Sequence, residues 1–165
     1  MPEYAHLRRE FGPVYDESSR LLILGSFPSV KSREANFYYG HPQNRFWRVL
    51  GRVLACEFPP DALGKRTLLL QKGVALWDTI EECDILGSSD SSIKNVVPVD
   101  ILRVLRAADI RNIYCNGATS YSLFMKYLAP LCHVTPIRLP STSPANAAWT
   151  EERLYEEWKK IQNDL

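Results

Sequence analysis

Four short apolar runs, separated by stretches of helical periodicity, set the pattern of this chain. Each run consists largely of Leu, Ile, Val and Tyr and is bounded by Gly, Pro or Asn, which is typical of buried strands. The runs are Leu21–Phe27, Gly73–Trp77, Asn112–Cys115 and Val134–Leu139. Because strands of a parallel sheet are apolar along their whole length, we predict that these four form one parallel sheet.

Helical spacing fills the intervals between the runs. In Asn44–Leu54 the apolar residues share one face, and Arg45, Arg48 and Arg52 lie on the other. Further helices are predicted over Ala62–Gln71, Val99–Ala107, Ala118–Leu128 and after Thr150, a good N-cap. Strands alternating with helices predict the α/β class, here a three-layer α/β/α sandwich around a central four-stranded parallel sheet.

Composition favours a single globular domain over residues 1–165, because 45% of the residues are hydrophobic and 24% are charged. No apolar run is long enough to span a bilayer, and the start, Met1-Pro2-Glu3-Tyr4, carries no secretory signal. We therefore expect a cytoplasmic protein without membrane contact. The four cysteines form no Cys-x-x-Cys pair and the three histidines complete no ligand cluster around them, so no metal site is expected.

The net charge of +1 is unevenly distributed. Between Lys31 and Arg52 there are five basic residues and one acid, whereas between Asp78 and Asp90 there are five acids and no base. A basic flank can bind phosphate, although a solvated helix face is the more ordinary interpretation.

The loops after the four predicted strands are the candidate site, because ligands of open parallel sheets bind beyond the carboxyl ends of the strands. The first loop, Gly25–Ser29, is followed by Lys31, and its small residues and backbone amides are typical of an anion site. It lacks the Gly-Lys-Ser/Thr ending of a Walker loop and the later glycines of a dinucleotide fingerprint.

Aromatic and amide side chains come together in the next segment, Phe37–Trp47. Rings that stack on a flat heterocycle and amides that read its edge suit the binding of such a ligand. Ordinary packing explains Tyr38 and Tyr39 equally well. Asn44 stands just before a predicted helix, where Asn is also a preferred N-cap.

The remaining three loops each allow a functional and a structural interpretation. Asp78 either accepts hydrogen bonds from ligand N–H groups or caps the following helix. Asn116 belongs either to a turn or to the site. The Ser- and Pro-rich loop Leu139–Asn146 either holds a distorted DNA backbone or is an ordinary surface loop.

Taken together in this order, the segments resemble the uracil-DNA glycosylase superfamily, and most closely its hypoxanthine-DNA (deoxyinosine) glycosylase branch. The resemblance runs from about Leu21 to Trp158. The segments are Leu-Ile-Leu-Gly-Ser-Phe-Pro-Ser, Tyr-Tyr-Gly-His-Pro-Gln-Asn-Arg-Phe-Trp, Trp-Asp-Thr-Ile with Ser-Ser-Ile-Lys-Asn, Tyr-Cys-Asn-Gly, and Leu-Pro-Ser-Thr-Ser-Pro-Ala-Asn. Of these, Asn-Arg-Phe-Trp and Ser-Thr-Ser-Pro-Ala-Asn are the more specific pieces.

The resemblance implies flipping of a deaminated base out of DNA and hydrolysis of its N-glycosidic bond, without a metal, a cofactor or a Schiff-base lysine. In most of the superfamily an Asn or Asp after the first strand orients the attacking water, but here Phe27 stands in its place. In the hypoxanthine branch that role is assigned to an Asn further along, and Asn44 is the matching residue. The expected substrate therefore moves from uracil towards hypoxanthine.

The resemblance also implies roles for other residues. Phe27 and Tyr39 would flank the flipped base, and Asp78 would read its edge. The implied base pocket comprises Gly25, Ser26, Phe27, Tyr39, Asp78 and Asn116. The implied loops that contact or enter DNA comprise Ser29, Lys31, Ser141, Thr142, Ser143, Pro144 and Asn146. The protein is expected to act on DNA as a monomer associated with the nucleoid.

Two other functions stay open. One is a glycosylase, in the same fold, for uracil or thymine mispaired with guanine. The other is a catalytically silent module that binds single-stranded or damaged DNA, which the presence of Phe27 permits. A small-nucleotide hydrolase is disfavoured, because the strand ends carry no acidic metal cluster.

Overall fold

Seven strands form two sheets in the computed structural model, which describes residues 3–165. In chain order they are β1 (Ala5–Arg8), β2 (Leu21–Gly25), β3 (Val74–Asp78), β4 (Ile80–Ile85), β5 (Lys94–Pro98), β6 (Asn112–Asn116) and β7 (Ile137–Leu139). Met1 and Pro2, at the start where no secretory signal is expected, lie outside the described residues.

The central sheet is parallel throughout and has the strand order β3-β2-β6-β7. Every residue of β2 and β3 is buried, as their unbroken apolar runs predict. All four predicted strands are present, with shifted ends. The first stops at Gly25, two residues before Phe27, and the last begins only at Ile137, since Pro136 has no N–H to donate to the sheet.

Helices flank this sheet, and their order confirms the predicted three-layer sandwich. They are α1 (Val30–Ala35), α2 (Phe46–Leu54), α3 (Ala62–Gln71), α4 (Leu102–Ala107), α5 (Ala118–Leu123), α6 (Ala129–Cys132) and α7 (Glu151–Trp158). The predicted helix Val99–Ala107 is shortened to α4, and Ala118–Leu128 divides into α5 and a π-helical turn. No helix within residues 3–165 is long and apolar enough to cross a membrane.

The last helix begins as its sequence predicts. The Thr150 hydroxyl accepts a hydrogen bond from the Arg153 N–H at 3.2 Å, so Thr150 is the N-cap of α7. Further along α7, Trp158 is fully buried and meets the ring of Phe46 edge-on, with 5.9 Å between the ring centroids. This contact packs α7 against α2.

A second, antiparallel sheet of order β1-β4-β5 is not predicted by the sequence pattern. Its middle strand buries Ile80, Cys83 and Ile85 and leaves the acidic residues between them partly exposed. Two register shifts against β5 interrupt the pairing of this strand. Because β4 and not a helix follows β3, the interpretation of Asp78 as a helix cap is wrong.

The basic face of α2 is paired within the protein. Arg48 contacts Glu151 at 2.9 Å, and Arg52 contacts Glu152 at 2.9 Å, both at the start of α7. The side chain of Arg45 turns away from solvent, towards the loop after β7. These arginines therefore join elements of the fold, and they form no free basic patch for phosphate.

Candidate active site

A cavity of about 700 Å³ opens at the carboxyl edge of the central sheet, in the size range of small-molecule sites. It lies where the sequence predicts a site, among the loops after β2, β3, β6 and β7. The residues expected in the base pocket that line it are Gly25, Ser26, Phe27, Tyr39, Asp78 and Asn116. Asn44 lines it as well, as do the loop residues Ser29, Lys31, Ser141, Thr142, Ser143 and Pro144.

Asn146 is the one expected site residue that lies elsewhere among the described residues. It lines an adjoining cavity, and its side-chain amide donates to the Ser141 carbonyl at 3.0 Å. Its contact therefore supports the shape of the Ser- and Pro-rich loop.

The side chain of Asn44 has one fixed end and one free end. Its Oδ1 accepts hydrogen bonds from the Phe46 N–H and from the Thr142 hydroxyl, each at 2.9 Å. A backbone N–H can only donate, so this contact identifies the amide oxygen and leaves the NH₂ group as the free end. The N-cap position of α2 is Arg45, so Asn44 lies one residue before it; its oxygen binds the first N–H of the helix, and the residue also lines the cavity.

Thr142 connects the strand-end amides of the site. Its N–H donates to Asn116 Oδ1 at 3.1 Å, and its hydroxyl accepts from Asn116 Nδ2 at 3.0 Å while donating to Asn44. The residue is fully buried. This differs from the expected contact with phosphate, because a buried hydroxyl that is bonded on both sides has no free surface for DNA.

Tyr39 supplies a rigid aromatic wall. Its ring stacks on Phe46 with 4.0 Å between the ring centroids, and its backbone has φ +52°, a left-handed conformation that is strained for tyrosine. Its hydroxyl is buried and has no hydrogen-bond partner among residues 3–165. Burial, reinforced by the charge of Asp78, raises the pKa of Tyr39, so the hydroxyl keeps its proton.

Phe27 lines the same cavity, but most of its ring is packed away. It is 9% exposed and belongs to an apolar cluster with Ile80, Cys83 and Ile85 of the second sheet. The expected place of Phe27 in the pocket wall therefore agrees with its position, and the second sheet holds it there.

A buried ion pair includes Asp78 of the cavity lining. Arg9 donates from Nη1 to Asp78 Oδ2, and the two side chains are 2% and 6% exposed. Burial disfavours the charge of Arg9, but attraction to Asp78 outweighs it, so the pKa of Arg9 is raised. Sequence reasoning missed Arg9, since nothing local distinguishes it from Arg8, whose side chain is 72% exposed.

Arg45 anchors the loop after β7. Its guanidinium donates to the carbonyls of Ser143 at 2.8 Å and Asn146 at 3.1 Å, and also to that of Trp149. Its own N–H donates to the Thr142 carbonyl at 3.1 Å. One side chain thus satisfies several carbonyls of a loop without regular structure, which holds the loop at the cavity.

Two further ionisable residues at the cavity were not singled out as site residues from the sequence. His41 lines it, and Asp90 lines both cavities while accepting a hydrogen bond from the Ser26 hydroxyl at 3.2 Å. Within residues 3–165 no group of three or more His, Cys, Asp or Glu side chains is arranged to hold a metal ion.

The fold and the cavity define an α/β domain with aromatic and amide side chains around a cavity at the carboxyl edge of its parallel sheet, an arrangement that suits a DNA glycosylase. The chain belongs to the uracil DNA glycosylase superfamily, because the model of that family matches residues 13–165. Its activity is therefore that of a DNA glycosylase, and its substrate is DNA.

Relatives from two Methanosarcina species support this membership. A hypoxanthine DNA glycosylase of Methanosarcina acetivorans is 30% identical over 156 residues, which are 94% of this chain and 98% of that protein. One of Methanosarcina barkeri is 33% identical over 116 residues, or 68% of this chain and 73% of that protein. The solution NMR structure of a candidate uracil DNA glycosylase from M. acetivorans has a TM-score of 0.79 and 31% identity, covering 93% of this chain and 95% of that one.

Proposed function

We propose that this protein releases hypoxanthine from deoxyinosine in DNA by hydrolysis and leaves an abasic site. The observation that carries the proposal is the fixed amide of Asn44, a cavity-lining residue whose oxygen is bonded twice and whose NH₂ group has no partner among residues 3–165, while Phe27 stands where most of the superfamily has Asn or Asp. The names of the two Methanosarcina relatives support the choice of hypoxanthine.

The reaction needs a placed water more than it needs a strong base. As the glycosidic bond breaks, the base leaves with the bonding electrons and the sugar becomes positive at C1′, to which the water oxygen then bonds. The water loses a proton and the departing base gains one. Asn44 donates one N–H to a lone pair of the water and leaves the other lone pair to face C1′, so that most of its contribution is positional.

The flipped base would lie between aromatic surfaces. Tyr39, fixed by its stacking on Phe46, and the exposed edge of Phe27 flank it, and the free oxygen of Asp78 reads its edge. Asn116 and Thr142 hold Asn44 in place. Contacts with the DNA backbone are assigned to the remaining loop residues, namely Ser29, Lys31, Ser141, Ser143, Pro144 and Asn146. No cofactor is needed for this chemistry.

A panel of duplexes tests the substrate. Each duplex carries deoxyinosine, deoxyuridine, or a guanine mispaired with uracil or thymine, and single-turnover rates of base release are compared. We expect the fastest release from deoxyinosine. Faster release from either mismatch would favour a mismatch glycosylase, and salt-dependent binding without abasic product on any lesion would indicate a non-catalytic module.

The variant Asn44→Ala tests the catalytic role of that residue. Without the amide the water is no longer placed, and we expect hypoxanthine release to fall by about 100-fold or more, as misplacement of a reacting group does. Loss of the bonds to the Phe46 N–H and to the buried Thr142 hydroxyl should reduce the free energy of unfolding by about 2–4 kcal/mol. Single-turnover kinetics and a urea melt measure the two effects separately.

Thr150→Ala is the control, because it removes a side-chain bond to the start of another helix, α7, away from the cavity. It should lose about 1 kcal/mol of stability and keep the rate of the wild type. Equal rates for Asn44→Ala and Thr150→Ala would show that Asn44 has only a structural role.

A further inference from the structure

The family resemblance assigns no role to Arg9, the buried partner of Asp78. Arg9 directly follows β1 and precedes residues 13–165, the part that the family model matches. Yet its side chain is 2% exposed and reaches a carboxylate that lines the cavity. Burial of this ion pair indicates a role beyond stability, since an ion pair away from water is costly to form.

The guanidinium is held from two sides. While one nitrogen donates to Asp78 Oδ2, Nη2 donates to the Tyr38 hydroxyl at 3.0 Å, which in turn donates to the Gly12 carbonyl at 2.8 Å. Its centre also lies 5.2 Å from the ring centroid of Phe11. Arg9 therefore has little freedom to turn away from the carboxylate.

The second oxygen of Asp78 is free. Its Oδ1 receives no hydrogen bond from residues 3–165 and lies over Gly25, where an added Cβ would come within 2.4 Å of it. The same Cβ would lie 3.0 Å from the unpartnered Tyr39 hydroxyl. Gly25 thus leaves space for an acceptor and a hydroxyl at one wall of the cavity.

We propose that Arg9 is a positioning residue for base selection, which holds Asp78 by one carboxylate oxygen so that the other oxygen, a hydrogen-bond acceptor, faces the flipped base. This inference rests on the proposed function. Hypoxanthine and uracil carry a ring N–H beside a carbonyl, where adenine and cytosine carry a lone pair, so an acceptor in this position selects for deamination. Guanine carries the same ring N–H, so the acceptor does not exclude it. Guanine is disfavoured instead because it must leave its pair with cytosine before it can be flipped out.

The arrangement makes an unusual prediction for Asp78→Asn. A guanidinium has only donors, so the new amide must turn its oxygen to Arg9 and its NH₂ group to the cavity. The wall then presents a donor, which opposes the N–H of hypoxanthine and matches the ring nitrogen of adenine. The variant should therefore bind hypoxanthine more weakly and adenine more tightly, rather than bind both more weakly.

The experiment measures binding without cleavage. The probes are duplexes with 2′-fluoro deoxyinosine or 2′-fluoro deoxyadenosine, whose glycosidic bonds resist hydrolysis, each opposite an abasic spacer so that neither base leaves a pair. For wild type the ratio of the two affinities should favour deoxyinosine. In Asp78→Asn and in Arg9→Met this ratio should fall by about 10- to 100-fold, as expected for loss of a hydrogen bond to a charged group. Arg9→Lys should restore most of it.

Arg48→Met, which breaks an exposed ion pair between two residues outside the cavity lining, is the control and should keep the wild-type ratio. A purely structural role of Arg9 would weaken both probes equally and leave the ratio unchanged, which would overturn the proposal. An Asp78→Asn variant that keeps the wild-type preference for deoxyinosine would also overturn it.

If Arg9→Met does not fold, the affinity ratios of Arg9→Lys and Asp78→Asn test the proposal. Because the ratio needs no cleavage, failure of the proposed activity would appear only in the lesion panel.

Discussion

At the scale of single residues, Asn44 both binds the first N–H of α2 and lines the cavity, whereas its sequence position presents a structural and a functional role as alternatives. Its amide oxygen is used twice, so only three-dimensional contacts identify which group faces the ligand. The polar residues at strand ends could be predicted, because strand periodicity and loop composition are local. Arg9 could not, because its partner Asp78 lies 69 residues away in the chain and only the fold brings them together.

Arg9→Met tests the buried ion pair by its effect on stability. The change leaves Asp78 buried without a partner, and we expect a loss of about 3–5 kcal/mol in the free energy of unfolding, measured by urea denaturation. Arg48→Met removes one member of an exposed pair and should cost no more than about 1 kcal/mol. Similar losses in both variants would contradict the burial of the pair.

At the scale of secondary-structure elements, the parallel strands were predictable and the antiparallel ones were not. The strands of the central sheet are continuous apolar runs, whereas β4 carries acidic residues and bulges against β5. Both features weaken the alternation by which a half-exposed strand is recognised. The missed sheet matters to the site, since β4 packs behind Phe27 and β1 leads directly into Arg9.

The pairing of β1 with β4 should depend on pH through His6. Hydrogen bonds to Asp84 and Glu82 raise the pKa of His6, while bonds from Asn95 and His6 lower that of Asp84. The contribution of His6 is therefore complete below its ordinary pKa of 6.5 and is lost as the pH rises through the raised value. That of Asp84 is present above its ordinary pKa of 3.8 and is lost as the pH falls through the lowered one.

We therefore expect the β1 amides to be best protected from hydrogen exchange between about pH 4 and 6.5, once corrected for intrinsic exchange rates. His6→Gln should abolish the loss of protection on the alkaline side. Protection that is the same at pH 5.5 and pH 8.5 in wild type would show that the exposed histidine does not hold the strand.

The loop after β7 should depend on Arg45. Arg45→Met removes the donors that join the carbonyls of Ser143, Asn146 and Trp149, and we expect faster proteolysis within the loop and slower base release. Limited proteolysis with mass spectrometry locates the cuts. Arg52→Met, from the same helix but bound to α7, should leave the loop as resistant as wild type. Equal resistance of both variants would contradict the anchoring role.

At the scale of the whole molecule, the strand order brings loops that are distant in sequence to one edge of a sheet. The sequence predicts that edge because parallel strands share their carboxyl side. It does not predict the position of Arg9 or the second sheet beside the cavity, because the segments that form them carry no strong hydrophobic pattern. Membership of the superfamily supplies the reaction class, and the buried contacts supply the proposed roles of individual residues.

A single cooperative domain and a monomeric state are further predictions at this scale. Both sheets share the cavity wall, so we expect unfolding in urea to give one transition that coincides in circular dichroism and tryptophan fluorescence. Light scattering should report a mass near 18.9 kDa. Two separate transitions would show that the antiparallel sheet unfolds by itself, and a doubled mass would contradict the monomer.

The central claim is hydrolysis at C1′ with release of an intact base, and isotope-labelled water tests it most directly. A deoxyinosine duplex is incubated with the protein in water enriched in heavy oxygen, and the products are analysed by mass spectrometry. We expect free, unlabelled hypoxanthine and an uncleaved strand that carries an abasic site. Strand cleavage without free base, or label within the released base, would contradict it.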